Sequence, residues 1–317
     1  MSMVKSARAC ARAALVLSCV SCLPAFAHAQ AVQSARAPSA PAPTPSQQRA
    51  RYSLPWTMRP AIAPSLVRIE TTWAFANPAV SGVTMLTAGY AVVPATFGVY
   101  AREAFVHQAP SMGASANAFS NPLFFALFTP QVYPGLRLSF FAGVALPLGM
   151  GGGNAPEAPV RRAVGSGVYT RSAMDNALFA VNYATPTVGA GIVYVGHGFT
   201  AQAEATVLQL VRVRGAAVDA DAMRTNFTAA AHLGYQVLPW LTPGVELHYQ
   251  HWLSTPAAVA ANSVLRSQLS LELGVRFNLP VSPTVLLRPG VSFGFGLNGT
   301  MWQDNYRVLH VDLPIAF

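Results

Sequence analysis

From Ser65 to Phe317 the side chains change character at every second position, in one short segment after another. The last eleven residues, RVLHVDLPIAF, show it most plainly. Leu309, Val311, Leu313, Ile315 and Phe317 alternate with His310, Asp312, Pro314 and Ala316. A period of two gives a strand two unlike faces, because successive side chains leave opposite sides of the pleat. Chain ends usually fray, so a patterned end of this kind is expected to be tied into a sheet.

Composition decides what such strands can enclose. The 317 residues are 52% hydrophobic and only 10% charged, against roughly 25% charged in an ordinary soluble domain. Yet beyond the N-terminal region no run reaches the ~18 apolar residues that a spanning helix needs. The most apolar stretch, Leu123 to Gly149, is broken by Pro130, Pro134, Arg137 and Pro147. The other structure able to cross a bilayer is a closed barrel, in which each backbone group is paired to a neighbouring strand.

The alternating segments are each about ten residues long, the length of a tilted spanning strand. Val67, Ile69, Thr71, Trp73 and Phe75 alternate with Arg68, Glu70, Thr72 and Ala74. Further strands are expected near 83–93, 97–107, 119–130, 136–144, 187–196, 199–213, 225–237, 245–250, 268–277 and 288–295. With the terminal segment, about twelve result. Short turns such as Pro94-Ala95-Thr96 and His197-Gly198 alternate with longer loops. Aromatic residues gather at both proposed strand ends, among them Tyr90, Tyr133, Phe199, Tyr235 and Trp240 at the short turns. Trp73, Phe105, Trp302 and Tyr306 lie at the long loops. Rings of both kinds favour the lipid–water boundary. The longest loop, 149–186, begins GMGGG and is expected to carry a short helix over Ser172 to Tyr183, with a strand at 177–184 as the alternative.

The closing Phe317, the alternation before it and the repetition of that pattern resemble Gram-negative outer-membrane β-barrels. The resemblance implies an all-β, transmembrane antiparallel barrel over 65–317, in contact with outer-membrane lipid. It also implies handling by the barrel-assembly machinery through the last strand, an even strand count, and both termini on the periplasmic side. An even count disfavours the extra strand at 177–184. Pro314 departs from an ideal closing strand, since it removes one ladder donor.

Residues 1–29 fit a secretory signal, with Lys5, Arg8 and Arg12 basic, Ala13 to Ala27 apolar, and a small-residue site at Ala27-His28-Ala29. A lipoprotein-type site at Cys19 is the weaker alternative. Cys10, Cys19 and Cys22 all fall in this segment, so the mature chain is expected to lack thiols. Residues 30–64, rich in Ala, Pro and Ser, are expected to form a disordered periplasmic tail. Of the 20 basic residues, Lys5, Arg8, Arg12, Arg36, Arg49, Arg51 and Arg59 precede Ser65, leaving thirteen to face the 11 acidic ones. The net charge of +9 is therefore no nucleic-acid footprint.

If the apolar face meets lipid, the other lines the interior. Arg68, Glu70, Glu204, His232, Glu246, His248, Glu272, Arg276, Arg288, His310 and Asp312 then fall at similar heights and form one belt of mixed sign. Such a belt can be a structural ion-pair network, since charges in low dielectric must be paired or hydrated. It can also be a constriction selecting solutes. Arg161, Arg162 and Arg171 in the long loop offer an anion-attracting alternative. Small inward residues (Gly234, Gly274, Gly290, Ser292, Gly294) leave room for a narrow lumen.

The first functional expectation is a passive, porin-like channel for small solutes. A non-conducting structural or surface-binding barrel is the second. A lipid hydrolase comes third, because His232-Leu-Gly, His248-Tyr-Gln and His310-Val-Asp all lack a serine two residues on. No enzyme activity, cofactor or metal is expected. A cluster of Glu246, His248 and His232 reads first as hydrogen-bonded pairs.

Overall fold

Each alternating segment pairs with the next one in the chain, and the last pairs with the first. The computed structural model describes residues 52–76, 79–110, 113–216 and 221–317. The expected signal, the three cysteines and residues 30–51 of the expected tail lie outside the described residues. Twelve strands form the wall: β1 Leu66–Ala76, β2 Ala79–Val93, β3 Phe97–Pro110, β4 Leu123–Phe128, β5 Leu136–Ala145 and β6 Tyr183–Gly196. The second half comprises β7 Phe199–Arg212, β8 Met223–Tyr235, β9 Leu241–Trp252, β10 Ser267–Phe277, β11 Gly290–Gly296 and β12 Arg307–Ala316. All neighbours are antiparallel.

Closure is a continuous ladder from Leu66↔Ala316 to Phe75↔Arg307. The backbone N–H of Phe317 extends it to the Ser65 carbonyl at 3.1 Å. Pro314 does not interrupt it. Its missing donor faces the gap between the Leu286–Leu287 segment and β11, where the partner ladder is already broken. The tight β6–β7 turn places both His197 (φ 52°) and Gly198 (φ 82°) in the left-handed region, as a two-residue hairpin turn with the favoured twist requires.

The two faces separate as the alternation predicts. On β10, Gln268, Ser270, Glu272 and Arg276 are buried inside, whereas Leu273 is 48% exposed on the outer surface. Ile69, Leu86, Val188, Ile192, Leu233 and Leu313 are likewise exposed. Tyr90, Tyr133, Phe199, Tyr235, Trp240 and Phe317 stand exposed around the short-turn end, and Trp73, Phe105 and Trp302 around the long-loop end. Tyr306 departs from that girdle. It is fully buried, and Ser172 lies 3.0 Å from its hydroxyl.

The interior is divided. On β2 to β5 the inward face is mostly apolar, with Val83, Met85, Ala104, Val106, Phe125, Leu127 and Phe141 beside the buried Ser81, Thr87, Arg102 and Ser139. The long loop covers it. The helix expected at 172–183 lies earlier in the chain, as α1 Ala158–Thr170, followed by a single turn, α2 Asn176–Phe179. No strand forms at 177–184 before β6 begins at Tyr183. Ala163, Val164, Gly167 and Thr170 make the buried stripe of α1, at the three-to-four spacing of one helix face. Pro159 sits in its first turn, where a missing N–H costs nothing. Ser172 and Ala173, both at positive φ, turn the chain at its other end.

Candidate functional site

The polar half of the lumen, on β7 to β12 and β1, holds a segment that the composition assigned to a tail. Tyr52 to Pro64 enters the barrel at the short-turn end, reverses near Arg59, and returns to β1. Tyr52, Leu54, Trp56, Met58, Ala61 and Ala63 are all buried. The segment has neither helix nor strand of its own, so its backbone groups need partners from elsewhere.

The charged belt supplies them. Glu246 accepts from the backbone N–H of Trp56 and, at 3.0 Å, from that of Thr57. Arg68 donates to the Trp56 carbonyl and Arg288 to that of Tyr52. Arg276 donates to the Leu54 carbonyl at 2.7 Å and, at 3.3 Å, to that of Pro55. Gln202 caps the Arg59 carbonyl at 2.8 Å, and the Ser53 N–H donates to Thr200 at 2.7 Å. Irregular backbone at membrane depth is tolerated where protein side chains satisfy it, as here.

The belt residues are also joined to one another. Arg68 bridges Glu70 (2.6 Å) and Asp312 (2.8 Å), and Arg276 grips both Asp312 oxygens at 2.9 Å. His310 lies 3.0 Å from Glu272, and His248 3.0 Å from Glu246. Arg59, on the internal segment, pairs with Glu204 at 2.9 Å and lies over the Phe141 ring, 3.2 Å from its centroid. All eleven residues predicted for the belt come together, each between 0 and 7% exposed. A water-filled constriction would expose them. Here the belt holds the internal segment.

Of the loop arginines, Arg161 and Arg162 are exposed on α1, whereas Arg171 drops into the lumen. It pairs with Glu70 at 2.9 Å and with Asp175 at 3.0 Å, and Arg102 reaches Asp175 at 3.1 Å. Burial opposes ionisation of Asp175, but Arg171 and then Arg102 outweigh it and hold the carboxyl below its ordinary range. Arg171 thus fastens the loop instead of attracting anions. Sequence reasoning missed Arg59, Arg102, Asp175 and Trp56. The first and last lay in the expected tail, and an isolated Asp in a loop carries no signal.

The small inward residues make room for these contacts, not for a lumen. A Cβ at Gly290 would sit 3.0 Å from the Arg276 guanidinium carbon, and one at Gly244 3.3 Å from the Trp56 ring. Ser53, His232 and Glu246 approach the order of a nucleophile, base and orienter, with His232 Nε2 2.9 Å from Ser53 Oγ and Nδ1 3.3 Å from Glu246. Ser53 is itself buried, on the internal segment. Toward the long-loop end, a cavity of about 210 Å³ opens between α1 and β8–β10, lined by Asn176, Arg224, Gln250, Gln268 and Thr300.

A closed, twelve-stranded antiparallel wall, apolar outside and ion-paired within, is a transmembrane β-barrel of the outer-membrane class. No protein-family model and no curated protein matches this sequence. Among solved structures, the NanC porin is similar with a TM-score of 0.46 at 5% identity, covering 79% of this chain and 98% of its own. The KdgM porin gives 0.42 at 10% identity over 79% and 99%. The β domain of the Bordetella autotransporter BrkA gives 0.41 at 12% identity over 81% and 99%. These likenesses concern the course of the chain, and nothing functional is drawn from them.

Proposed function

We propose that the protein is a channel for small polar solutes, held shut by its own Tyr52–Pro64 segment. The observation that carries this reading is the composition of the closed lumen. A barrel filled once and for all is served as well or better by apolar side chains, because buried ion pairs lose in desolvation what they gain in attraction. Charges of both signs around a removable segment have a second use. When the segment withdraws, Arg68, Glu246, Arg276 and Asp312 become the hydrated wall of a pore. The segment's backbone groups are held by hydrogen bonds to belt side chains, which water can replace, while Tyr52, Leu54 and Ala61 also pack in an apolar cluster with Val193.

Planar-bilayer recording tests the reading. The intact chain is expected to stay closed for most of the record, and a variant with residues 52–64 excised to give discrete conductance steps. A folded excised barrel that stays silent would support instead a non-conducting structural barrel, the reading favoured if the belt serves only to hold the segment.

A further inference from the structure

Four of the acids that face the lumen, Glu70, Asp175, Glu204 and Asp312, have an arginine within ion-pair distance. Glu246 and Glu272 do not: none of the ion pairs among the described residues joins either to a guanidinium. Both are nevertheless buried, side by side as cross-strand partners on β9 and β10. Around them stand three imidazoles. His248 Nε2 is 3.0 Å from Glu246, His310 Nδ1 is 3.0 Å from Glu272, and His232 Nδ1 is 3.3 Å from Glu246. Two adjacent carboxylates thus share a buried site whose nearest basic groups are imidazoles, themselves common metal ligands.

We propose that Glu246, His248 and Glu272 bind one divalent transition-metal ion of the zinc class. One ligand atom from each lies within 4.8 Å of the other two. Bonds of ~2.0–2.1 Å to a central tetrahedral ion ask for ligand spacings of roughly 3.3 Å, which small rotations of these side chains reach. The donor set of one imidazole and two carboxylates suits a borderline ion better than Mg²⁺ or Ca²⁺, which prefer oxygen alone. A further imidazole stands beside these ligands: His232 is fully buried, its Nε2 is 2.9 Å from Ser53 Oγ, and its Nδ1 is 3.3 Å from Glu246, within reach of an ion bound there.

The surroundings are arranged for it. The Trp56 and Thr57 N–H groups orient Glu246, Ser292 donates to Glu272, and Ser270 lies 3.4 Å from His248 Nδ1. The neighbouring trio of Glu70, His310 and Asp312 makes a useful contrast. Arg68, Arg171 and Arg276 already neutralise its acids, so a cation is repelled there. An ion on Glu246 would join β9 to β10 directly beneath the internal segment.

The test uses the full-length protein in detergent, stripped with a chelator and titrated with Zn²⁺ by calorimetry and with Co²⁺ by visible absorption. One equivalent of each is expected, with a d–d band showing nitrogen ligation. His248→Ala and Glu272→Gln should weaken binding at least about tenfold, while His107→Ala, on an exposed loop-end residue, binds as the parent does. Folding of each variant is checked by circular dichroism. No saturable Zn²⁺ binding by the parent, or unchanged binding by a folded His248→Ala variant, overturns the site. Metal stoichiometry is independent of conductance, so a silent barrel that binds zinc sinks the channel and keeps the site.

Discussion

Arg276 shows how much one buried side chain can organise inside the lumen. Its guanidinium meets both oxygens of Asp312 and the carbonyls of Leu54, Pro55 and Arg288. Truncation leaves Asp312 to Arg68 alone and takes the Arg276 donor from three buried carbonyls. Removing one partner from a buried, hydrogen-bonded pair costs about 3–5 kcal/mol. Arg276→Ala is therefore expected to lose that much in urea unfolding of the reconstituted barrel. Arg161→Ala, on the exposed side of α1, should stay within about 0.5 kcal/mol of the parent. Equal losses would mean that the belt is hydrated in solution. At this scale the sequence was most legible: strict alternation fixes which side chains face inward, so Arg276, Glu246 and their neighbours could be assigned to one belt from parity alone. Their partners could not. Leu54 and Asp312 lie 222 and 36 residues from Arg276, and no local pattern joins them.

Among the elements, the strands announced themselves and the two lumen fillers did not. Tyr52 to Pro64 has no period because its conformation is imposed by belt side chains, not by its own propensities. In α1, Gly165, Gly167 and the β-branched residues weaken helix propensity, so APVRRAVGSGVYT reads as loop. The available signal lay opposite: Phe125 and Leu127 on the inward face of β4 had to be covered by something apolar. The two glycines of α1 now make a matched pair. Nothing lies within 4 Å of a Cβ built at Gly165, whereas one at Gly167 runs into the Phe179 ring. Gly165→Ala is expected to stabilise the docked loop by roughly 0.5–1 kcal/mol. Gly167→Ala is expected to destabilise it by about 1–3 kcal/mol through overpacking. Amide hydrogen exchange across 158–170 reads both, and slower exchange in Gly167→Ala would show that α1 does not pack on α2.

For the molecule as a whole, the decisive quantity is the solvent its outer surface prefers. Large apolar side chains, from Ile69 on β1 to Leu313 on β12, stand exposed around a wall that has no free edge. Water would penalise so much contiguous apolar surface, and among the described residues no helix is long and apolar enough to cross a membrane. The wall crosses instead, with its backbone groups paired between strands. A charge placed on that surface must then be paid for according to depth. Leu273 sits at the middle of β10 between Glu272 and Gly274, which face inward, and is 48% exposed to the outside. Leu273→Arg is expected to destabilise the barrel in lipid vesicles by about 2–4 kcal/mol, as an arginine at the bilayer midplane does. The same substitution at Leu253, in the loop after β9 and also exposed, should cost about 0–1 kcal/mol, as near an interface. Urea midpoints of the two variants in the same vesicles measure the difference directly. If Leu273→Arg proves as harmless as Leu253→Arg, the outer face of β10 is not in oil, and the barrel does not span the membrane at that height.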